Sequence, residues 1–311
     1  MNSGATALPS APVALEVCSI RKVFNDTVAV DDLSFAVPAA AIYGLLGPNG
    51  AGKTTTIRMM LDILVPDSGS VRLFGEPFRR EALRRVGYLP EERGLYKKMK
   101  VGEMLVFLAQ LRGLSRPQSE RSVGEWMGRL EMSGWGRKKV EELSKGMQQK
   151  VQFAATLLHD PDVVVLDEPF AGLDPVNTVM LKEVMLELKR KGKTVVFSTH
   201  QMEQVEKLCE GICLVNRGRS VLEGNLREIR RSFGRNTIRA ELEGDWQFLR
   251  ALEGVRDVVD AGNQVEIKLL PGADPQRILA GLIGRVRVNS FEVTEPSLEE
   301  IFIRSVGKVE A

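Results

Sequence analysis

Several things are scarce in this chain of 311 residues, and each scarcity closes off a class of protein. Three cysteines, Cys18, Cys209 and Cys213, cannot all pair with one another, and Cys209-x3-Cys213 lacks the second half of a zinc site. They read as reduced structural thiols of a cytosolic chain. No apolar run approaches the ~18 residues of a membrane span, so any membrane role must come through a partner. Aromatics are only 6% of the chain, too few for base-stacking platforms. Neither charge dominates: Lys+Arg 43 stand against Asp+Glu 41, which argues against nucleic-acid binding by bulk charge, though not against a local basic patch. The opening residues 1–12 are small and polar without a hydrophobic signal core, and are expected to be a disordered tail.

What the chain does have is a glycine-rich stretch, Gly47-Pro48-Asn49-Gly50-Ala51-Gly52-Lys53-Thr54-Thr55, matching Gly-x4-Gly-Lys-Ser/Thr at every fixed position. The apolar run Ile42–Leu46 before it suits a buried strand. The segment after it places Ile57, Met60, Leu61 and Leu64 at helical spacing. Strand, loop and helix form the context in which consecutive backbone N–H groups converge on phosphate oxygens. Lys53 can then reach the β- and γ-phosphates, and the Thr54 hydroxyl can ligate magnesium. A nucleoside triphosphate is the expected ligand.

The remaining chain predicts a large and a small domain. Alternation marks strands at Leu15–Ile20 and Leu33–Val37, with Phe24 before an Asn25-Asp26 turn; its ring could stack on a base or sit in the core. After Leu89-Pro90-Glu91, from about 98 to 160, alternation gives way to helical spacing: an all-helical insertion. Its last helix opens at Leu143-Ser144-Lys145-Gly146-Met147, with Ser144 as N-cap. Val163–Leu166 then reads as a strand buried on both faces, ending in Asp167-Glu168, two carboxylates that need a cation at that position. His200 ends the buried strand Thr194–Thr199 on the same side, whereas His159 reads as structural. A hairpin is expected about Arg217-Gly218. From about 226 to 311 follows a small α+β domain, with strands at Thr237–Leu242, Gln264–Leu269 and Val286–Val293. A Ser297-x-x-Glu300 capping box opens its final helix.

Loop, helical insertion, Leu-Ser-x-Gly helix start, Asp-Glu-Pro strand end and terminal histidine occur in one order over about residues 15–225. That set resembles the ATP-binding subunit of an ABC transporter. The resemblance implies an α/β fold: a P-loop NTPase core of ABC type at 13–225 with an antiparallel β subdomain and an inserted helical subdomain. It implies ATP and Mg2+ as cofactors, Gly47 to Thr55 as the phosphate loop and Phe24 as the adenine-stacking aromatic. Asp167 and Thr54 would hold the metal, Glu168 would polarise the attacking water, and His200 would sense the γ-phosphate. Ser144 and Gly146 would complete the site of a second, head-to-tail cassette, with Asp174 at the seam. Two departures stand out. Glu91 replaces the glutamine that approaches the metal, and Lys145 and Met147 replace the second glycine and the glutamine of the signature. The run Leu89–Tyr96 and the Pro296–Phe302 tail look like the ABC-2-type exporter subgroup. Such a subunit would sit on the cytoplasmic face of the membrane, peripheral, bound to an integral permease near Glu91 to Met104, without nucleic acid. The rival of the same fold is a soluble ABC-type ATPase on ribosomes or DNA. Those that act on ribosomes usually carry two cassettes in one chain, and those on chromosomes a long coiled coil. A P-loop GTPase is disfavoured because no Asn-Lys-x-Asp guanine reader is found.

Overall fold

The computed structural model describes residues 12–306 apart from 93 and 235, so that all but the last residue of the expected tail lies outside the described residues. The chain divides into two compact units, Met1–Asn225 and Leu226–Ala311.

The first unit opens with two long strands, β1 (Val13–Phe24) and β2 (Thr27–Pro38), joined through Asn25, whose left-handed φ of 49° asparagine tolerates. After β3 (Ile42–Leu46) and α1 (Lys53–Met60), strands β4 (Ser68–Leu73) and β5 (Glu76–Pro77) complete an antiparallel sheet ordered β2-β1-β4-β5. Next come β6 (Val86–Leu89) and three helices, α2 (Val101–Leu111), α3 (Arg116–Arg129) and α4 (Lys145–Leu157), which form the insertion. A reciprocal Ser115–Gln118 capping box starts α3, which buries Val123, Trp126 and Met127. The order β7 (Val163–Asp167), α5 (Pro175–Arg190), β8 (Thr194–Thr199), α6 (Met202–Leu208), β9 (Gly211–Asn216) and β10 (Arg219–Asn225) finishes the unit.

Six of these strands make the second sheet, ordered β10-β9-β3-β8-β7-β6, with every pairing parallel except the β9–β10 hairpin. All positions of β3, β7 and β8 are buried, as unbroken apolar runs covered on both faces require. Helix α1 contributes Ile57, Met59 and Met60 to one core cluster with Leu15, Val17 and Leu33 of the antiparallel sheet and Val163, Val165 and Val196 of the parallel one. The register decides where chemistry can occur. Leu46 pairs with Thr199, Asp167 with Ser198 and Leu89 with Leu166, so the strand ends preceding Gly47, Pro90, Glu168 and His200 come level on one edge. That carboxyl edge is where open α/β sheets bind ligands.

The second unit contains α7 (Leu226–Ser232), β11 (Thr237–Glu243), β12 (Val255–Asp260), β13 (Val265–Leu269), α8 (Pro275–Leu282), β14 (Arg287–Thr294) and α9 (Leu298–Val306). Its antiparallel sheet is ordered β12-β13-β11-β14, a split βαβ arrangement in which the first helix is reduced to the 3-10 turn Gln247–Ala251. Ile238, Ile267, Leu269, Leu249 and Leu282 fill its core. The capping box forms as expected: the Ser297 amide donates to Glu300 Oε2 and the Glu300 amide to Ser297 Oγ, both at 3.2 Å. Strand β12 has no counterpart in the periodicity, since only Val258 of Val-Arg-Asp-Val-Val-Asp is buried.

Candidate functional site

The stretch from Gly47 to Gly52 bridges β3 and α1 with backbone conformations that side chains would forbid. Gly47 has φ 153°, and a Cβ there would fall 2.2 Å from the carbonyl oxygen of Val215. Behind the loop, the β9–β10 turn acts as a staple. The Gly218 amide donates to Ala51 O at 2.9 Å, while Gly218 O accepts from the Asp31 amide at 2.9 Å. Gly218 itself lies at φ 77° with Ala29 O only 2.8 Å from any Cβ. Nothing in the linear sequence links residue 218 to the loop; the β-hairpin supplies the link.

Lys53, the first residue of α1, is buried, and its amine donates to Gly47 O at 2.8 Å and Pro48 O at 3.2 Å. The same amine lies 3.5 Å from Glu168 Oε1. Glu168, just past the end of β7, has a left-handed φ of 47°, a strained conformation of the kind that gathers at functional sites. Its carboxylate is also 3.1 Å from Nδ1 of His200, a half-exposed side chain at the end of β8. Lys53, Glu168 and His200 thus form a continuous polar chain from the loop to the surface.

Asp167 is fully buried. Ser198 donates its hydroxyl to Asp167 Oδ1 at 2.5 Å and accepts the Glu168 amide at 2.9 Å. The other oxygen, Asp167 Oδ2, has no hydrogen-bond partner among the described residues. A buried carboxylate oxygen without a donor is costly unless a cation or an ordered water takes its place. Among the described residues no three His, Cys, Asp or Glu side chains cluster as a metal cage. That donor set suits a hard cation that keeps waters and borrows phosphate oxygens, as Mg2+ does, and not a caged transition metal. Burial, and next the negative charge of Asp167, hold the neighbouring Tyr88 phenol up at about 12, so it stays protonated.

A cavity of about 310 Å³ opens over the loop, lined by Ala29, Asn49, Gly50, Ala51, Gly52, Lys53, Thr54, Thr55, Glu91 and Glu168. The sequence-predicted residues in it are thereby gathered, and Glu91, from the loop after β6, is among them. Helix α4 fixes two of the surrounding loops. Gln152 Nε2 donates to Pro90 O and Glu92 O, both at 3.2 Å, and Gln149 Nε2 to Pro169 O at 3.4 Å. Neither glutamine has a sequence signal: both are buried, yet neither is one of the apolar positions by which the helix is read. Phe24, Ser144 and Gly146 do not line this cavity. Phe24 stands exposed at the end of β1 with the Lys22 amine 5.9 Å from its ring. Ser144 caps α4, its Oγ accepting from the Met147 amide at 3.3 Å, and is exposed. Gly146 faces Asn177, whose amide and side chain are clamped by Asp174.

Residues 30–171 match the ABC transporter family, and residues 224–306 match the ATP-binding protein DrrA1-3-like, C-terminal domain. The ABC transporter ATP-binding protein YhaQ of Bacillus subtilis is 44% identical over 95% of this chain and 99% of its own length. The Nod factor export ATP-binding protein I of Burkholderia lata is 40% identical over 97% of this chain and 99% of its own. A solved ATP-binding subunit of an ABC transporter superposes with a TM-score of 0.66 at 32% identity, covering 71% of this chain and 93% of that one. The chain belongs to the ATP-binding proteins of ABC transporters, and it is an ABC-type ATPase.

Proposed function

We propose that this chain hydrolyses Mg-ATP as one of two identical cassettes and that the cycle drives export through a separate membrane permease. The observation that carries the reading is the buried Glu168 carboxylate held between the Lys53 amine at 3.5 Å and His200 at 3.1 Å, at the mouth of the loop cavity.

In-line attack on a γ-phosphate needs a positioned water, neutralised oxygens and exclusion of bulk solvent. Glu168 orients and polarises the water. Lys53 exchanges its contacts with the Gly47 and Pro48 carbonyls for the β- and γ-oxygens, and the amides of Gly50 to Thr55 complete the cradle. Magnesium, when bound, supplies neutralisation of the phosphate charge; Thr54, Glu91 and the unpartnered Asp167 Oδ2 are the groups that would hold it or its waters. His200 steadies Glu168 and senses the γ-phosphate. Phe24 stacks on the adenine. Ser144 and Gly146, absent from their own chain's cavity, contact the nucleotide of the second cassette, with Asp174 at the seam. The Ser144 hydroxyl accepts from Met147 and so keeps its own proton for a phosphate oxygen. Because Gln149 and Gln152 tie α4 to the loops bearing Glu168 and Glu91, engagement of Ser144 is mechanically linked to both carboxylates.

Among the described residues no helix is long and apolar enough to cross a membrane. In this reading the permease is a separate chain, and this one docks on it at the cytoplasmic face through its helical insertion. Export is supported by the DrrA-like second unit and by the likeness to a Nod factor export protein. The test is ATP turnover by Glu168→Gln. It is expected to fall by about 10²–10⁴-fold while ATP binding persists; turnover at the wild-type rate removes Glu168 from this role.

A further inference from the structure

With acidic and basic residues almost equal in number, a local excess of one sign needs a structural cause. Such an excess lies on the helical insertion, where two segments distant in sequence run side by side as a short antiparallel ribbon. The Val101 amide donates to Lys138 O at 2.9 Å, the Val140 amide to Met99 O at 3.1 Å and the Glu141 amide to Lys97 O at 3.0 Å; Lys100 and Lys139 form the bridge pair. Six exposed cations, Lys97, Lys98, Lys100, Arg137, Lys138 and Lys139, are brought together by this pairing. Three of them have carboxylate partners: Lys100–Glu103 at 3.0 Å, Lys138–Glu142 at 3.5 Å and Lys139–Glu141 at 3.7 Å. All three pairs are largely exposed, and such pairs hold their charges weakly. Among the described residues Lys97, Lys98 and Arg137 have no ion-pair partner. Next to the ribbon, Tyr96 and Phe107 are exposed, their rings in edge contact at 6.1 Å between centroids.

We propose that this ribbon rests on the anionic phospholipid headgroups of the membrane that holds the permease. The inference rests on the reading above in placing the chain at a membrane, and it assigns the Lys97–Lys100 part of the segment expected to meet the permease to the lipid beside that permease. Five of the six cations are lysines, compact charges on flexible stems. These suit a diffuse negative surface, whereas a fixed carboxylate or phosphate partner favours the planar fork of arginine. Clusters of four to eight basic residues beside a membrane are read as contacts with acidic lipid. An exposed tyrosine beside them sits naturally at headgroup depth. Duplex nucleic acid is the less favoured occupant, because the excess is confined to one ribbon of a chain whose net charge is only +2.

The experiment is flotation of the purified full chain with vesicles of phosphatidylcholine alone and with about one-third phosphatidylglycerol, each at low and raised salt. The wild type is expected to float only with the anionic vesicles and to lose affinity as salt rises. A Lys97→Gln, Lys98→Gln, Lys138→Gln triple variant should lose binding on the order of a hundred-fold, at roughly five-fold per lysine. ATP binding by both proteins, measured in parallel, reports separately on the nucleotide reading and on folding. Equal flotation with both vesicle types, or undiminished flotation of the triple variant, overturns the proposal. So does displacement from anionic vesicles by an equal charge concentration of duplex DNA.

Discussion

Ser198 donates its hydroxyl to one oxygen of Asp167 at 2.5 Å, while the other oxygen is buried without a partner among the described residues. The same hydroxyl accepts the amide of Glu168, so one side chain sets both carboxylates. Ser198→Ala deprives Asp167 of the one side-chain donor it has among the described residues. Groups that orient a ligating carboxylate typically change metal affinity by about 10–100-fold. The Mg2+ concentration giving half-maximal hydrolysis should rise by roughly that factor, with a stability loss of about 1–3 kcal/mol for the unsatisfied oxygen. An unchanged Mg2+ titration would show that Ser198 does not position the metal ligand.

Gly218 should matter to nucleotide binding although it lines no part of the cavity. Its amide holds Ala51 O, and its φ of 77° leaves no room for a Cβ beside Ala29 O. Gly218→Val is expected to cost about 1–3 kcal/mol of backbone strain and to weaken ATP affinity by shifting the loop. Thermal melts and equilibrium nucleotide titration check the two effects. Full affinity in a destabilised variant would mean that the staple supports the fold alone.

The parts that periodicity made legible are the ones where residue type and backbone need coincide. The β3–loop–α1 unit shows because Gly47 to Lys53 must be glycine-rich to turn and cationic to hold phosphate. The Arg217-Gly218 hairpin and the Ser297–Glu300 box are local for the same reason. What stayed hidden depends on contacts between distant segments. Ala29 lines the cavity only because β2 returns beside it; Gln152 reaches back across the insertion to Pro90, and Gln149 reaches past β7 to Pro169. Strand β12 escaped notice because an edge strand with one buried residue lacks alternation. Phe24 reads either as core or as stacking ring in sequence, and its exposure excludes the core.

His159 should impose a pH dependence on stability. It is largely buried, its Nε2 lying 3.2 Å from Val86 O and its Nδ1 without a partner among the described residues. Burial, and next the charge of Arg112, push its pKa below the usual 6.5. The unfolded chain therefore takes up a proton first as pH falls through 6.5, and the folded state loses stability until its own lower value is reached. Above 6.5 the histidine contributes no slope. The affected carboxylates, Asp31, Asp67, Asp162, Asp174, Glu142 and Glu187, all shift downward and act below their ordinary 3.8 to 4.5. Denaturant midpoints between pH 7 and 5 should fall in the wild type and fall less in His159→Gln. An identical slope in both would contradict the assignment.

Purification from detergent-solubilised membranes should recover this chain with an integral membrane protein. ATP hydrolysis of that complex should respond to the permease's cargo. Recovery with ribosomes instead would favour a soluble role for the same fold.

The central claim is that ATP is cleaved only when Ser144 and Gly146 of a neighbouring copy close over the Lys53 loop. Light scattering after size exclusion, on Glu168→Gln with Mg-ATP, tests it most directly. A dimer is expected with ATP and a monomer without it, and Ser144→Arg added to the same chain should abolish the dimer while ATP still binds. A Glu168→Gln chain saturated with ATP yet monomeric at every concentration would contradict it.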